Sequence, residues 1–287
     1  MAETKTTVTA ASAKANSSHQ PKKSNNTFAM LAVPVCIVIG VLFYMFVLGN
    51  PNNFQGGVIN ANSHPVEEGM GKWFGTVYMG GIIVPILISV LLICITFVIE
   101  RFLYISRAKG KFSGAELVRK VQYHLANKNV DAALAECDKQ KGSVGNVLKA
   151  GLKKYKEMIT NTELDTDQKI SAIKQEIEET TSLELPMMEK NLVFLSTIAS
   201  VATLLGLFGT VLGMIKSFSA MSASGAPDSG KLAGGISEAL INTALGISTS
   251  AVAIIMYNYF TTNIDSITYA IDESGFTLTQ SFAANHK

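Results

Sequence analysis

Two apolar runs carry groups that sit poorly in lipid. TLLGLFGTVLG at 203–213 sets Thr203, Gly206, Gly209, Thr210 and Gly213 among leucines, a valine and a phenylalanine. EALINTALG at 238–246 sets Glu238, Asn242, Thr243 and Gly246 among alanines, leucines and an isoleucine, with Thr249 and Ser250 just beyond. At about 100° per residue, Ala199, Ala202, Thr203, Gly206, Gly209, Thr210 and Gly213 share a sector about 120° wide. Counted from Glu238, the residues Ala239, Asn242, Thr243, Gly246, Thr249, Ser250 and Ala253 fall within about 140°. Hydroxyl and amide groups on such faces can hydrogen-bond to water or to a partner helix, and Glu238, at the edge of its run, favours a helix N-terminus. Small residues also let helices approach closely, and Gly209 with Gly213 forms a G-x-x-x-G pair. From the residues alone, simple helix packing and a weakly polar seam holding waters or a partner helix both stay open.

Other chemistry is poorly supported. There is no phosphate-cradling G-x-x-x-x-G-K-[ST], no H-E-x-x-H and no G-x-S-x-G in the chain, so an enzyme is not expected. Cys36 and Cys94 lie in separate apolar runs, Cys137 in a charged segment, and His19, His64, His124 and His286 are scattered. No metal site or cofactor is expected from that spacing. A net charge of +2 without a dense basic stripe does not suggest nucleic acid.

The elements that must position these groups are membrane helices. The chain has 287 residues, 48% hydrophobic and 16% charged, with a mean hydropathy of +0.28. That is too apolar for an ordinary soluble protein. Four uncharged windows account for the excess: Phe28 to Gly49, Trp73 to Ile99, Asn191 to Ile215 and Ala239 to Ile264. Each has at least 22 residues, and at about 1.5 Å per residue a helix of that length exceeds the roughly 30 Å hydrocarbon layer, so all four can span. The lysine-preceded first window is too long for a signal peptide and lacks a following small-x-small cleavage site, so it reads as a retained span.

Lys5, Lys14, Lys22 and Lys23 precede the first window, and Arg101, Arg107, Lys109 and Lys111 follow the second, whereas the connection between them carries only Lys72 against Glu67 and Glu68. The positive-inside rule therefore places both termini and the long central segment in the cytoplasm. The expected map is a disordered N-terminus at 1–27, spans at 28–49, 73–100, 191–215 and 238–264, outside loops at 50–72 and 216–237, a helical cytoplasmic domain at 101–190 and a C-terminal tail at 265–287. The fold class is an all-α integral membrane protein with that helical domain between spans two and three. SGAELVRKVQYHLANKN puts Leu117, Val118, Val121 and Leu125 on one helical face, and Ile170, Ile173 and Ile177 recur at helical spacing. Pro186 is expected to kink the entry to the third span.

Apart from Glu238 at its boundary, no window contains Asp, Glu, His, Lys or Arg. A proton path through this chain would need a borrowed carboxylate.

GLFGTVLG at 206–213, ISEALINTALGISTSAVAIIMYN at 236–258 and VPILISVLLICITFVIERFLYISRA at 84–108 resemble the MotA/TolQ/ExbB proton-channel family, its ExbB branch most, from about Val84 to Ile271. The resemblance implies a homopentameric ring in the bacterial inner membrane, with the outside loops periplasmic. It also implies a small ExbD-like partner whose single span sits in the central pore and whose membrane Asp moves protons, and a TonB-like protein energised by the motor. The family's pore threonines match Thr210 and Thr243, and its functional Glu matches Glu238, expected to tune the field or the cytoplasmic exit. The first span departs from the three-span ExbB pattern.

Overall fold

The computed structural model describes residues 27–57, 64–223 and 229–286. In hydrocarbon every peptide group must find a partner within the protein, so uncharged runs of this length close into helices. The first is α1, Thr27–Phe43, extended by one π-helical turn at Tyr44–Leu48. After two 3-10 turns at Pro51–Asn53 and Gln55–Gly57 comes α2, Gly69–Tyr78.

The window expected to span from 73 to 100 is then interrupted. Gly81 takes φ +77°, in a 3-10 turn at Gly81–Ile83, and the long helix α3 covers Val84–Lys109. Two adjacent glycines inside an apolar run are a breaker signal, and here they outweigh its continuity.

Four shorter helices follow: α4 (Gly114–Ala126), α5 (Val130–Gln140), α6 (Ser143–Thr160) and α7 (Thr166–Glu189). Helix α7 opens with a capping box in which the Asp165 carboxylate accepts from Gln168 N–H and the Gln168 side chain accepts from Asp165 N–H. Pro186 lies inside α7, and the chain breaks later, at Lys190 (φ −50°, ψ 139°) and left-handed Asn191 (φ 66°). The last two helices are α8, Leu192–Ala223, and α9, Ser229–Asn285.

Among the described residues there is no strand beyond one isolated bridge between Phe54 and Pro65, so the fold is all-α as expected. Four stretches are long and apolar enough to cross a bilayer: Met30–Leu48, Gly81–Ala126, Thr166–Ser222 and Ser229–Asn285. The N-terminal segment 1–27 lies outside the described residues, Thr27 excepted.

Helix extends past two of the expected boundaries. Within 216–237, α8 runs to Ala223 and α9 starts at Ser229. Residues 265–285, expected as a tail, continue α9, whose 57 residues span about 86 Å. Ile267, Ala270, Ile271, Leu278 and Phe282 are buried there in the same core as Leu117, Val121, Leu148, Leu152, Tyr155 and Ile173. An apolar stripe at 3–4 residue spacing thus runs past the span and closes the helical domain. That domain is consequently not made from 101–190 alone.

Gln140, fully buried, staples the α3–α4 connection by donating to Lys109 O and Phe112 O (3.1 and 2.6 Å) and accepting from Phe112 N–H (2.9 Å). Nearby Cys137 is 3% exposed, and burial pushes its thiol up to about 12. The folded state therefore holds the neutral thiol, and stability falls as pH rises from the unfolded value of 9.0 toward about 12. Native protein at pH 8 should resist alkylation at Cys137 at least tenfold longer than urea-unfolded protein, as peptide mass spectrometry can measure.

Candidate functional site

Helices α8 and α9 run antiparallel and meet along their small faces. A Cβ added to Gly246 would lie 2.6 Å from Ala202 O and 2.8 Å from Gly206 Cα, and one on Gly213 would lie 2.7 Å from Gly235 O. Gly209 faces Asn242, where an added Cβ would come within 2.5 Å of the Asn242 Cβ. Ser250 Oγ donates across the contact to Ala199 O (2.5 Å), and buried Ser217 donates to Leu232 O (3.1 Å). Gly206, Gly209, Gly213, Asn242, Gly246 and Ser250 are thereby gathered into one intrachain seam. At this spacing only glycine leaves room for the opposing backbone.

The threonines behave differently. Thr203, Thr210 and Thr243 are half-buried at the margins of the seam, and each hydroxyl donates within its own helix, to Ala199 O (3.4 Å), Leu207 O (2.6 Å) and Ala239 O (3.2 Å). Their oxygens keep acceptor capacity for water or for a donor on another helix. Thr249 is buried, bonded to Leu245 O (2.8 Å).

Glu238 occupies one end of the seam. Its side chain is 12% exposed and accepts from Lys216 Nζ on α8 at 2.7 Å. On the other side it lies against Gly81, where a Cβ would overlap its carboxyl oxygen. One turn along, Asn242 donates from Nδ2 to Gly80 O (2.9 Å), while its buried Oδ1 has no partner. A buried acceptor without a donor costs about 1–3 kcal/mol, a cost that a water or hydroxyl placed there would relieve. The carboxylate, an orphaned amide oxygen and the bent Gly80–Gly81 backbone therefore share one polar end.

A cytoplasmic exit at Glu238 and a cytoplasmic helical domain would require the two to share one end of the bundle, and they do not. The helical domain meets α9 from Ile264 onward, 26 residues farther along the same helix and about 39 Å away. Glu238 belongs to the end of the bundle remote from that domain.

A second polar cluster lies at the domain end. Arg101 is 1% exposed, pairs with Glu100, donates to Met187 O (3.4 Å) and Met188 O (3.3 Å), and stacks its guanidinium 4.8 Å from the Tyr104 ring centroid. Asn191 Nδ2 reaches Glu100 Oε2 at 3.4 Å. A half-open concavity of about 310 Å³, lined by Glu189, Leu192, Ser196, Tyr257, Thr261 and Asp265, also lies toward this end, away from Glu238. Among the described residues no three His, Cys, Asp or Glu side chains gather as metal ligands.

Sequence reasoning missed Lys216, Gly80, Gly81 and Arg101. Each left a signal: Lys216 is the charge that ends one apolar window, Arg101 follows the Glu100 that ends another, and the glycine pair interrupts one.

Comparison with known proteins reaches the seam from another direction. Residues 139–273 match the MotA/TolQ/ExbB proton channel family. The chain is 32% identical over 117 residues to the Tol-Pal system protein TolQ of Pseudomonas aeruginosa, covering 41% of this chain and 51% of that protein. It is 37% identical over 73 residues to the biopolymer transport protein ExbB of Salmonella typhimurium, covering 25% and 30%. A longer stretch of 199 residues is 27% identical to a biopolymer transport protein described as an ExbB homolog in Methanothermobacter thermautotrophicus, covering 68% and 66%. The chain thus spans about half or less of the first two of these relatives' own lengths.

Proposed function

Residues 139–273 belong to the MotA/TolQ/ExbB proton channel family, and from that premise we propose that this chain is an ExbB-like subunit of an inner-membrane proton-channel motor. It acts without catalytic chemistry of its own. In this reading copies of the chain form a homopentameric ring around the single span of an ExbD-like partner, and the motor energises a TonB-like protein for transport across the outer membrane. Both termini and the helical domain face the cytoplasm, so the Glu238 end faces the periplasm.

The observation that carries the reading is the polar end of the α8–α9 seam. Glu238 is held there by Lys216, Thr210 and Thr243 line its margins, and no carboxylate lies farther into either span. Such a site can hydrate and orient a mobile carboxylic acid supplied by the partner while adding no competing titratable group at mid-membrane. The driving force is ample, since one charge crossing 100 mV releases about 2.3 kcal/mol.

The experiment is proton flux into vesicles bearing the complex purified from its native membrane. Thr210→Ala with Thr243→Ala, or Glu238→Gln alone, should lower flux tenfold or more with the complex still assembled. Unchanged flux in both would remove the seam from the path. The same purification should recover a short single-span protein with an Asp in its span. Recovery of this chain alone after crosslinking would favour a non-conducting scaffold, whose small residues only pack α8 on α9.

A TolQ-like role in envelope integrity is the second reading, favoured by the match to TolQ of Pseudomonas aeruginosa. Deletion separates the two: growth limited by iron or cobalamin supply fails in the first case, and detergent sensitivity appears in the second.

A further inference from the structure

The first span is tied to the polar end of the seam through an unbroken series of contacts. The Tyr44 and Tyr78 rings stack with centroids 4.7 Å apart and 15° between their planes, and the Tyr44 hydroxyl donates to Tyr78 O at 3.3 Å. Phe54 packs edge-on against Tyr78 at 5.6 Å. Buried Asn53 donates to Val47 O and Leu48 O (2.7 and 3.0 Å), which fixes the chain as it leaves the span. Leu48, Val84 and Ile88 form a separate buried cluster that Tyr44, Val77 and Tyr78 cover from one side and Ile241 and Leu245 of α9 from another.

These contacts converge on the turn from Tyr78 to Gly81. Its Gly80 carbonyl receives Asn242, and its Gly81 backbone lies so near the Glu238 carboxyl that an added Cβ would overlap it, in a conformation, φ +77°, that side chains rarely adopt. The turn therefore touches both polar groups of the seam directly, and Tyr44 and Tyr78 touch the turn.

We propose that Tyr44 and Tyr78 are positioning residues: they clamp the 78–81 turn against Glu238 and Asn242, and the first span serves as a fixed wall for that carboxylate. The importance of this wall to transport rests on the channel reading above. Its existence does not, and Glu238 can be read directly.

The measurement is the rate at which an apolar carbodiimide modifies Glu238, followed by mass spectrometry of its peptide, in the whole complex in lipid across a range of pH. Lys216 of α8 pairs with Glu238, and Tyr44 of the first span and Tyr78 of α2 stand at the turn beside it; none of the three is altered in the Gly81 variant. Tyr44→Ala and Gly81→Ala should each change the labelling rate at least threefold and displace its pH midpoint. Tyr44→Phe, which keeps the ring stack and loses one hydrogen bond, should fall between Tyr44→Ala and the parent. Phe46→Ala, on the 71% exposed side of the same span, should match the parent.

If Gly81→Ala fails to fold, the two Tyr44 variants still decide. Folded Tyr44→Ala with parental rate and midpoint overturns the proposal. Altered labelling with parental proton flux leaves the wall standing and removes Glu238 from the path, so the two readings fail separately.

Discussion

Arg101→Ala is expected to destabilise the protein by about 3 kcal/mol, near the lower end of the roughly 3–5 kcal/mol range for removing one partner of a buried ion pair. The guanidinium is almost fully buried, and its loss strands the Glu100 carboxylate together with the Met187 and Met188 carbonyls. Glu100 remains 23% exposed, so water relieves part of the penalty. The damage should concentrate where α3 meets the α7–α8 junction, because Asn191 reaches the same carboxylate. Arg101→Lys keeps the charge but loses the planar fork and the ring contact, so it should still cost measurably. Glu100→Gln combined with Arg101→Met removes both charges and should recover most of the loss. Thermal midpoints of detergent-solubilised protein test this; a single-variant cost below about 1 kcal/mol would mean the pair does not hold the junction.

Gly246→Val should prevent assembly of the α8–α9 hairpin outright. The three atoms nearest the added Cβ are Ala202 O, Gly206 Cα and Gly206 N, all backbone, so no rotamer change can absorb the overlap. The helices must separate, and the contacts of Gly206, Gly209, Gly213 and Ser250 go with them. Overpacking typically costs about 1–3 kcal/mol where side chains can yield, and more is expected where the obstacle is the main chain. Gly234→Ala is the matched control on the same helix. Nothing lies within 4 Å of its added Cβ, so it should be neutral or stabilising by up to about 1 kcal/mol. Monodisperse yield and thermal midpoint separate the two variants; equal values would show that the seam is not closely packed.

What could be read without the structure was what depends on neighbours in the chain. The apolar windows became helices, the second of them as one long helix only from Val84 onward, because lipid permits no unpaired peptide group, and the Leu117–Leu125 face was visible because helical spacing is local. The small faces of 199–213 and 239–253 were visible for the same reason, but whether they met each other or a partner was not. The tertiary structure places them against each other, sets Thr210 and Thr243 at the margins, and moves Glu238 to the end remote from the helical domain.

The Asn242–Gly80 bond joins residues 162 apart, and Lys216 and Glu238 are 22 apart on two different helices. No periodicity encodes such pairs. The glycine break at 80–81 carried a local signal, but its meaning, a backbone bent to receive Asn242 and lie beside Glu238, exists only once α9 lies against it. Residues 265–285 make the same point: their helical period was present in the chain, yet their burial depends on α4, α6 and α7 offering a complementary apolar face. Helix formation is a property of a segment, whereas the position of a carboxylate is a property of every element packed around it.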